Sequence, residues 1–305
     1  MSWIRLGLVF KPNQEKSWSV SHATAPTPIQ LSDKCWRVFF SSRDKENRSH
    51  VGWFDINLDD PNAAIRSSEK PLLSPGPIGH FDGNGIYATS AVKIGESSIR
   101  LYTIGWNPGH RKPLFYASIG VAESDDMGLS IRWRSSEPVL DRSRYDPTSV
   151  TGPWVMLDND HFRMWYVSGL RWIESEEQLK SVYHVKYAES KDGLNWMRAG
   201  VVAIDFNDAQ ELNIARPCVL RGLKGYEAWF SSSKGEGYRI GHAVSDDGQV
   251  FTRLNESSLG LLPSECYFED QAVCHPAVVI HKGKRFMFYN GNQFGRDGIA
   301  LAIQA

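Results

Sequence analysis

One turn is written three times in this chain. "AESDDMGLSIRW" (122–133), "AESKDGLNW" (188–196) and "AVSDDGQVF" (243–251) each close an alternating segment that opens on an aromatic residue. Two weaker relatives, "SHVGWFDINLDD" (49–60) and "GRDGIALAI" (295–303), extend the series to five. The matching small or apolar positions are Phe54, Ala122, Ala188, Ala243 and Ala300. They recur at intervals of about 55–70 residues, and such a period marks a repeat architecture. Few other folds can absorb this pattern.

Each repeat carries two earlier strand-like segments. The first is apolar and often opened by Pro: "APTPIQL", "ATSAVKI", "TGPWVML", "ARPCVLR" and "HPAVVIH". The second ends in aromatic and small polar residues: "RVFFSS", "RLYTIGW", "RMWYVSG", "YEAWFSSS" and "RFMFYNG". A short strand such as "SIRWRS" follows the turn. Four strands per unit and five units predict an all-β, five-bladed β-propeller forming a single domain over residues 1–305. The last repeat stops after its third strand, and "SWIRLGLVF" is a spare strand at the start. The N-terminal strand is therefore expected to close the last blade, because a ring without an exposed edge is protected from edge-to-edge pairing. Only "IESEEQLKS" (173–181) reads as helix, in an insertion of the third unit.

Composition narrows the partners. With 34 Lys and Arg against 35 Asp and Glu, and no basic run, nucleic acid is not an expected partner. Apolar runs are strand-sized, so no membrane segment is expected. The N-terminus has no long apolar region of a signal peptide, and Cys35, Cys218, Cys266 and Cys274 lack CxxC spacing. Free thiols in a reducing cytoplasm are the expectation, with a Cys266–Cys274 pair as the alternative.

In the repeated turn, Asp and Gly supply the geometry and Trp196 packs beneath. The turn resembles the Asp-box of sialidases, and its expected role is structural. Chemistry is expected where the first strands begin, around the mouth of the channel. Those starts carry His22 and Thr24; Asp82, Asn84 and Tyr87; Asp146 and Thr151; Glu211, Asn213 and Arg216; Glu269, Asp270 and His275. Trp106 and Tyr289 end second strands and Trp172 falls just beyond one, where an aromatic face suits a sugar ring or packs between blades.

"VFFSSRDKENRSHVGWFDI" (38–56) and "KPLLSPGPIGHFDGNGIYATSAV" (70–92) resemble the five-bladed glycoside hydrolase propellers of families 43, 32 and 130, closest to family 130 and to propellers of bacterial surface-polysaccharide synthesis. The likeness spans the chain. It implies a carbohydrate-active enzyme that cleaves or forms a glycosidic bond. The carboxylates that family 43 uses are not matched, since Ala25, Ser90 or Ala91, and Thr151 stand there; Arg216 and His275 do match. Family 130 enzymes are largely phosphorylases, with one acid and a basic phosphate site. Arg216, His275, His22 and Arg43 would suit a phosphate or carboxylate, or else pair between blades.

Asp82, in "FDGNG", is the leading candidate acid or base, with a turn residue as the alternative. Glu211 is second, with a salt bridge to Arg216 as its alternative. Hydrolysis, phosphorolysis, transfer from a phosphate-activated sugar, and sugar binding without catalysis all stay open. The substrate is a sugar or sugar phosphate, and no cofactor is required. The resemblance also implies a calcium ion on the axis, to which His275 and Asp270 would contribute through water.

Overall fold

The computed structural model describes residues 2–63, 66–174, 179–254 and 260–304. The described chain is nearly all β, as the alternation predicts. Strand β1 spans Trp3–Phe10. A first quartet follows, β2 (Ser21–Ser32), β3 (Cys35–Arg43), β4 (Ser49–Ile56) and β5 (Arg66–Ser67). A second comprises β6 (Gly85–Lys93), β7 (Ile99–Pro108), β8 (Phe115–Ser124) and β9 (Arg132–Trp133). The third holds β10 (Ser149–Asp158), β11 (His161–Glu174), β12 (Leu179–Ser190) and β13 (Val202–Ile204). The fourth holds β14 (Asn213–Gly222), β15 (Gly225–Ser233), β16 (Arg239–Ser245) and β17 (Thr252–Arg253). The chain ends in β18 (Cys274–His281), β19 (Lys284–Asn290) and β20 (Ile299–Gln304).

Pairing within each quartet is antiparallel and sequential. Single parallel bridges, Ser49 to Gly85 and Tyr183 to Asn213, join the quartets two by two. β1 pairs antiparallel with β20, so the N-terminal strand is the outer strand of the last sheet. The first strands pack side by side in turn, β2 on β6, β6 on β10, β10 on β14, β14 on β18, and β18 on β2.

The segment read as helix is otherwise. Ile173 and Glu174 pair with Lys180 and Leu179 in an extended hairpin, while 175–178 lie outside the described residues. Alternating Leu, Lys, Val and aromatic side chains beyond the tip let the hairpin continue, overriding the local helix propensity. Trp172 accordingly lies within β11, not beyond it.

The repeated turn is a latch between neighbouring quartets. Ser124, Ser190 and Ser245 each accept an N–H from the turn glycine, at 2.7, 2.9 and 2.9 Å. The turn carbonyls face the preceding quartet. Arg100 Nη1 donates to Asp192 O at 2.6 Å and Tyr102 Oη to Gly193 O at 2.9 Å. Arg163 and Trp165 hold Asp247 O and Gly248 O in the same way, at 2.7 and 2.8 Å. Arg37 holds Met127 O at 2.9 Å. The edge of Trp196 meets Tyr102, with centroids 6.0 Å apart. The polar groups of the turn are thus committed to structure.

Each first strand is bulged near its start, at Ser21–Thr27, Ala88–Ser90, Thr151–Trp154, Ala215–Cys218 and Cys274–Ala277. In four of these strands the bulged residue precedes Pro and has a positive φ: Ala25 (56°), Gly152 (51°), Arg216 (48°) and His275 (55°). A bulge re-aims a side chain. It points these residues inward, and that positions the centre of the molecule.

Candidate functional site

Arg216 and His275 occupy the centre. The Arg216 guanidinium is buried and ties three first strands together. It donates to Pro26 O at 2.7 Å, to Thr27 Oγ1 at 3.0 Å and to the Thr89 carbonyl. No carboxylate among the described residues pairs with it, Nε has no partner, and burial pushes its pKa down to about 10. This differs from a side chain free to grip substrate, because its fork is spent on main-chain oxygens.

His275 Nδ1 lies 3.1 Å from Asn290 Oδ1 and 3.2 Å from Thr24 Oγ1. Asn290 Nδ2 donates to Ala23 O and Gly298 O, at 2.8 and 2.9 Å, so its Oδ1 is fixed as an acceptor. The network therefore assigns the imidazole proton to Nδ1 and leaves a lone pair on Nε2. Burial, then the nearby Arg216, lowers the His275 pKa to about 4. The imidazole is neutral at neutral pH. A calcium ion does not fit here: guanidinium, imidazole, hydroxyl and amide line the centre without a carboxylate. Asp270 is exposed and accepts from Asn292 Nδ2 at 2.5 Å, and no group of three potential metal ligands occurs among the described residues.

Three of the predicted acids are locked into ion pairs. Asp146 is fully buried, 2.9 Å from Arg198 Nη1, and accepts from Tyr166 Oη at 3.1 Å. Glu211 meets Arg253, not Arg216, at 2.6 and 2.8 Å. Glu269 meets Arg5 at 2.9 Å and takes the hydroxyl of Tyr289, itself fully buried, at 2.8 Å. In each case an outer-strand or post-turn arginine reaches back to the acid before the first strand, so one polar position in the repeat serves structure. Tyr289 is core rather than rim. Asp82 is the exception: it is 3% exposed, has no cation partner among the described residues, and burial raises its pKa. A Cβ at Gly76 would lie 2.3 Å from its Oδ1, so the loop packs closely on the Asp82 carboxyl.

At the rim, His22 carries φ 64° and its Nδ1 is 2.9 Å from Ser21 Oγ. Burial first, then the charges of Arg43 and Arg296, lower its pKa to about 4. Arg43 reaches Tyr87 Oη at 3.4 Å and Asn47 Oδ1 at 3.0 Å. Trp106 Nε1 donates to Ser49 Oγ at 3.0 Å in the seam between the first two quartets, and the Asn84 N–H bonds to its carbonyl. Thr151 sits half-buried one residue before Gly152.

The open space lies beside this centre. A cavity of about 640 Å³ opens where β14 and β18 begin. Its aromatic walls are Phe115, Trp172, Tyr183, Tyr238 and Phe294. Phe115 and Trp172 meet edge to face at 5.5 Å, and Phe294 stacks on His275 at 5.9 Å. Asn213, Gln271, Gln293, Ser181 and Ser233 add hydrogen-bonding groups, and Lys180 and Glu236 add charges. The Tyr183 and Tyr238 hydroxyls bond to each other, and burial pushes the Tyr183 pKa up to about 12. Of the residues singled out in the sequence, Trp172 and Asn213 line this cavity, and His275 lies directly behind Phe294. Tyr183 and Tyr238 are the aromatic residues that open two of the repeated segments, whereas Phe115, Phe294 and Glu236 carry no sequence signal except the glycines around Glu236, in "KGEG", where Gly235 and Gly237 take φ of 102° and 69°.

This β architecture is similar in fold to solved structures described as glycoside hydrolases. A solved structure described as "Glycoside hydrolase" aligns with a TM-score of 0.76, at 17% identity over 99% of this chain and 91% of that one. A second, described as "The GH130 family of mannoside phosphorylases contains glycoside hydrolases that target beta-1,2 mannosidic linkages in Candida mannan", aligns at 0.69, with 15% identity over 97% and 90%. No family model matches the chain. The uncharacterized protein Rv1502 of Mycobacterium tuberculosis is 36% identical over 303 residues, 99% of both chains, and the chain belongs to the family of that protein. All four cysteines are free, and no helix of the described residues is long and apolar enough to cross a membrane.

Proposed function

We propose that this protein is a five-bladed propeller, each quartet a blade and β1 closing the last, that binds a carbohydrate in the 640 Å³ cavity and makes or breaks a glycosidic bond there. One observation carries the reading: five aromatic faces and five neutral amide or hydroxyl groups converge on one open cavity. Aromatic faces receive the C–H face of a sugar ring, and amides and hydroxyls read its hydroxyl groups.

Glu236 is the single carboxylate of the lining among the described residues. It is placed to give a proton to a departing glycosidic oxygen, or to take one from an acceptor hydroxyl. Hydrolysis normally uses two carboxyl groups across the bond. One carboxylate beside Lys180 favours transfer between a phosphate-activated sugar and an acceptor, in either direction. Such a protein belongs in the synthesis or turnover of a polysaccharide, and a cytoplasmic place suits its free thiols.

Incubation with sugar phosphates, nucleotide sugars and neutral oligosaccharides, with products resolved by mass spectrometry, tests this reading. Transfer products that fall at least about a hundredfold in Glu236→Gln, with binding retained, support it. Binding without any product from any donor leaves a sugar-binding propeller and overturns the bond chemistry.

A further inference from the structure

A second hollow, of about 230 Å³, lies on the other side of the β15–β16 hairpin from the main cavity. Asn207, Phe230, Ser232, Arg239, Gly241 and Arg253 are among its lining residues. Its origin is visible in the repeat. Gly52, Gly120, Lys186, Gly241 and Ala300 occupy one equivalent place on the third strands, opposite Phe40, Thr103, Tyr166, Phe230 and Tyr289, so the register sets Ala302, opposite Met287, and not Ala300 in line with Phe54, Ala122, Ala188 and Ala243.

The other four places are filled. A Cβ on Gly52 would lie 2.3 Å from Trp18, and one on Gly120 would lie 2.7 Å from Phe81. Lys186 fills its own place and is buried against Asp146. Phe268 joins Tyr289 and Ala300 in one apolar cluster. Trp18, Phe81 and Phe268 each stand one residue before the polar residue that precedes a first strand. In the fourth repeat that position is Gln210, which is exposed, and the ring of Phe230 lies over Gly241 instead, 2.6 Å from where a Cβ would stand. The fourth repeat thus lacks the plug residue of its sisters, and the hollow lies beside the Phe230 ring that takes its place.

We propose that this hollow is a binding site for one small oxyanion-bearing molecule, a carboxylate or phosphate ester of about monosaccharide size. Arg239 supplies the charge. Its guanidinium bonds to the Tyr238 carbonyl at 3.3 Å, and no carboxylate among the described residues pairs with it. Arg253 is already neutralised by Glu211, so the described residues of the lining keep one net positive charge. The Ser232 hydroxyl and the Asn207 side-chain amide line the same hollow as that guanidinium and add neutral hydrogen-bonding groups. The Phe230 ring is 1% exposed and lies 4.9 Å beneath the Arg253 guanidinium carbon, so the hollow is mainly polar. A fork with two neutral donors matches a carboxylate or phosphate. The volume lies below the roughly 300–1,000 Å³ of common ligand pockets, which limits the occupant to one small unit.

Isothermal titration of the intact protein with glucuronate, glucose 1-phosphate and inorganic phosphate, against glucose, tests the proposal. One or more of the anions binds saturably and glucose does not. Preference for glucuronate identifies a carboxylate ligand, and preference for either phosphate identifies a phosphate. Arg239→Gln weakens binding by at least about tenfold, the effect of losing one charged hydrogen bond. Gln210→Phe restores the plug of the sister repeats and abolishes binding, with stability retained. Trp172→Ala, in the other cavity, leaves binding unchanged. Absence of saturable anion binding, or anion binding unaffected by both Arg239→Gln and Gln210→Phe, overturns the proposal.

Discussion

Arg253 holds both carboxylate oxygens of Glu211, at 2.6 and 2.8 Å. The pair fixes the loop before β14 to the outer strand of the same quartet. It explains why an acid beside the channel mouth is not an acid in the cavity. Glu211→Gln leaves a buried guanidinium without its counter-charge, so the variant should lose about 3–5 kcal/mol. Chemical denaturation with a constant m-value is the check.

Asp82 predicts the opposite sign. Its carboxyl is buried without a cation partner among the described residues, and its raised pKa reports a charge that the fold disfavours. Asp82→Asn should be neutral or stabilising at about pH 8, by up to about 1 kcal/mol, within the usual range of a removed desolvation cost. A loss above about 2 kcal/mol would show a partner for the ionised form.

The latch predicts coupling between neighbouring quartets. Arg100 donates to Glu123 at 2.8 Å and to Asp192 O at 2.6 Å in the next quartet. Arg100→Ala should cost about 2–3 kcal/mol, since a charge-assisted bond and the pairing of Glu123 are lost together. Hydrogen exchange should rise at residues 190–193 as well as around position 100. Exchange confined to β7 contradicts the latch.

The two depressed histidines set an acid limit. His22 and His275 stay neutral in the fold down to about pH 4, whereas the unfolded chain protonates them near 6.5. The unfolded state therefore binds more protons between these values, and stability falls as pH drops from 6.5 to 4. Buried His275 contributes up to about 3 kcal/mol to that fall, and His22, half-buried at the rim and screened by solvent, contributes less. His275→Asn keeps a residue tolerant of φ 55° and removes the titration. Its stability curve should be flatter over this window than that of the wild type, and an equal slope would place the titration elsewhere.

The repeat, the β content and the pairing of β1 with β20 were legible because the alternation and the turn chemistry act locally. The direction of polar side chains was not. Asp146, Glu211 and Glu269 share a place in the repeat with any channel-mouth acid, and only the arginines that return from Arg198, Arg253 and Arg5 decide their fate. The first two partners lie 52 and 42 positions away and the third at the opposite end of the chain, in no fixed spacing. Arg216 and His275 lie near the centre, yet whether Arg216 meets solvent or main-chain carbonyls depends on the bulges of three strands at once. The cavity itself draws on loop and hairpin residues, Phe115 and Phe294 among them, which carry no period, while Tyr183 and Tyr238 stand at the start of repeated segments that gave no sign of facing a cavity.

The most direct test of the account is the affinity of the best glycan from an immobilised glycan panel, measured for the wild type and for Trp172→Ala. Removing one stacking face should weaken binding by at least about tenfold, the equivalent of about 1.4 kcal/mol. Arg239→Gln should leave that affinity unchanged. If no glycan binds, or if Trp172→Ala binds as tightly as the wild type, the cavity is not a carbohydrate site.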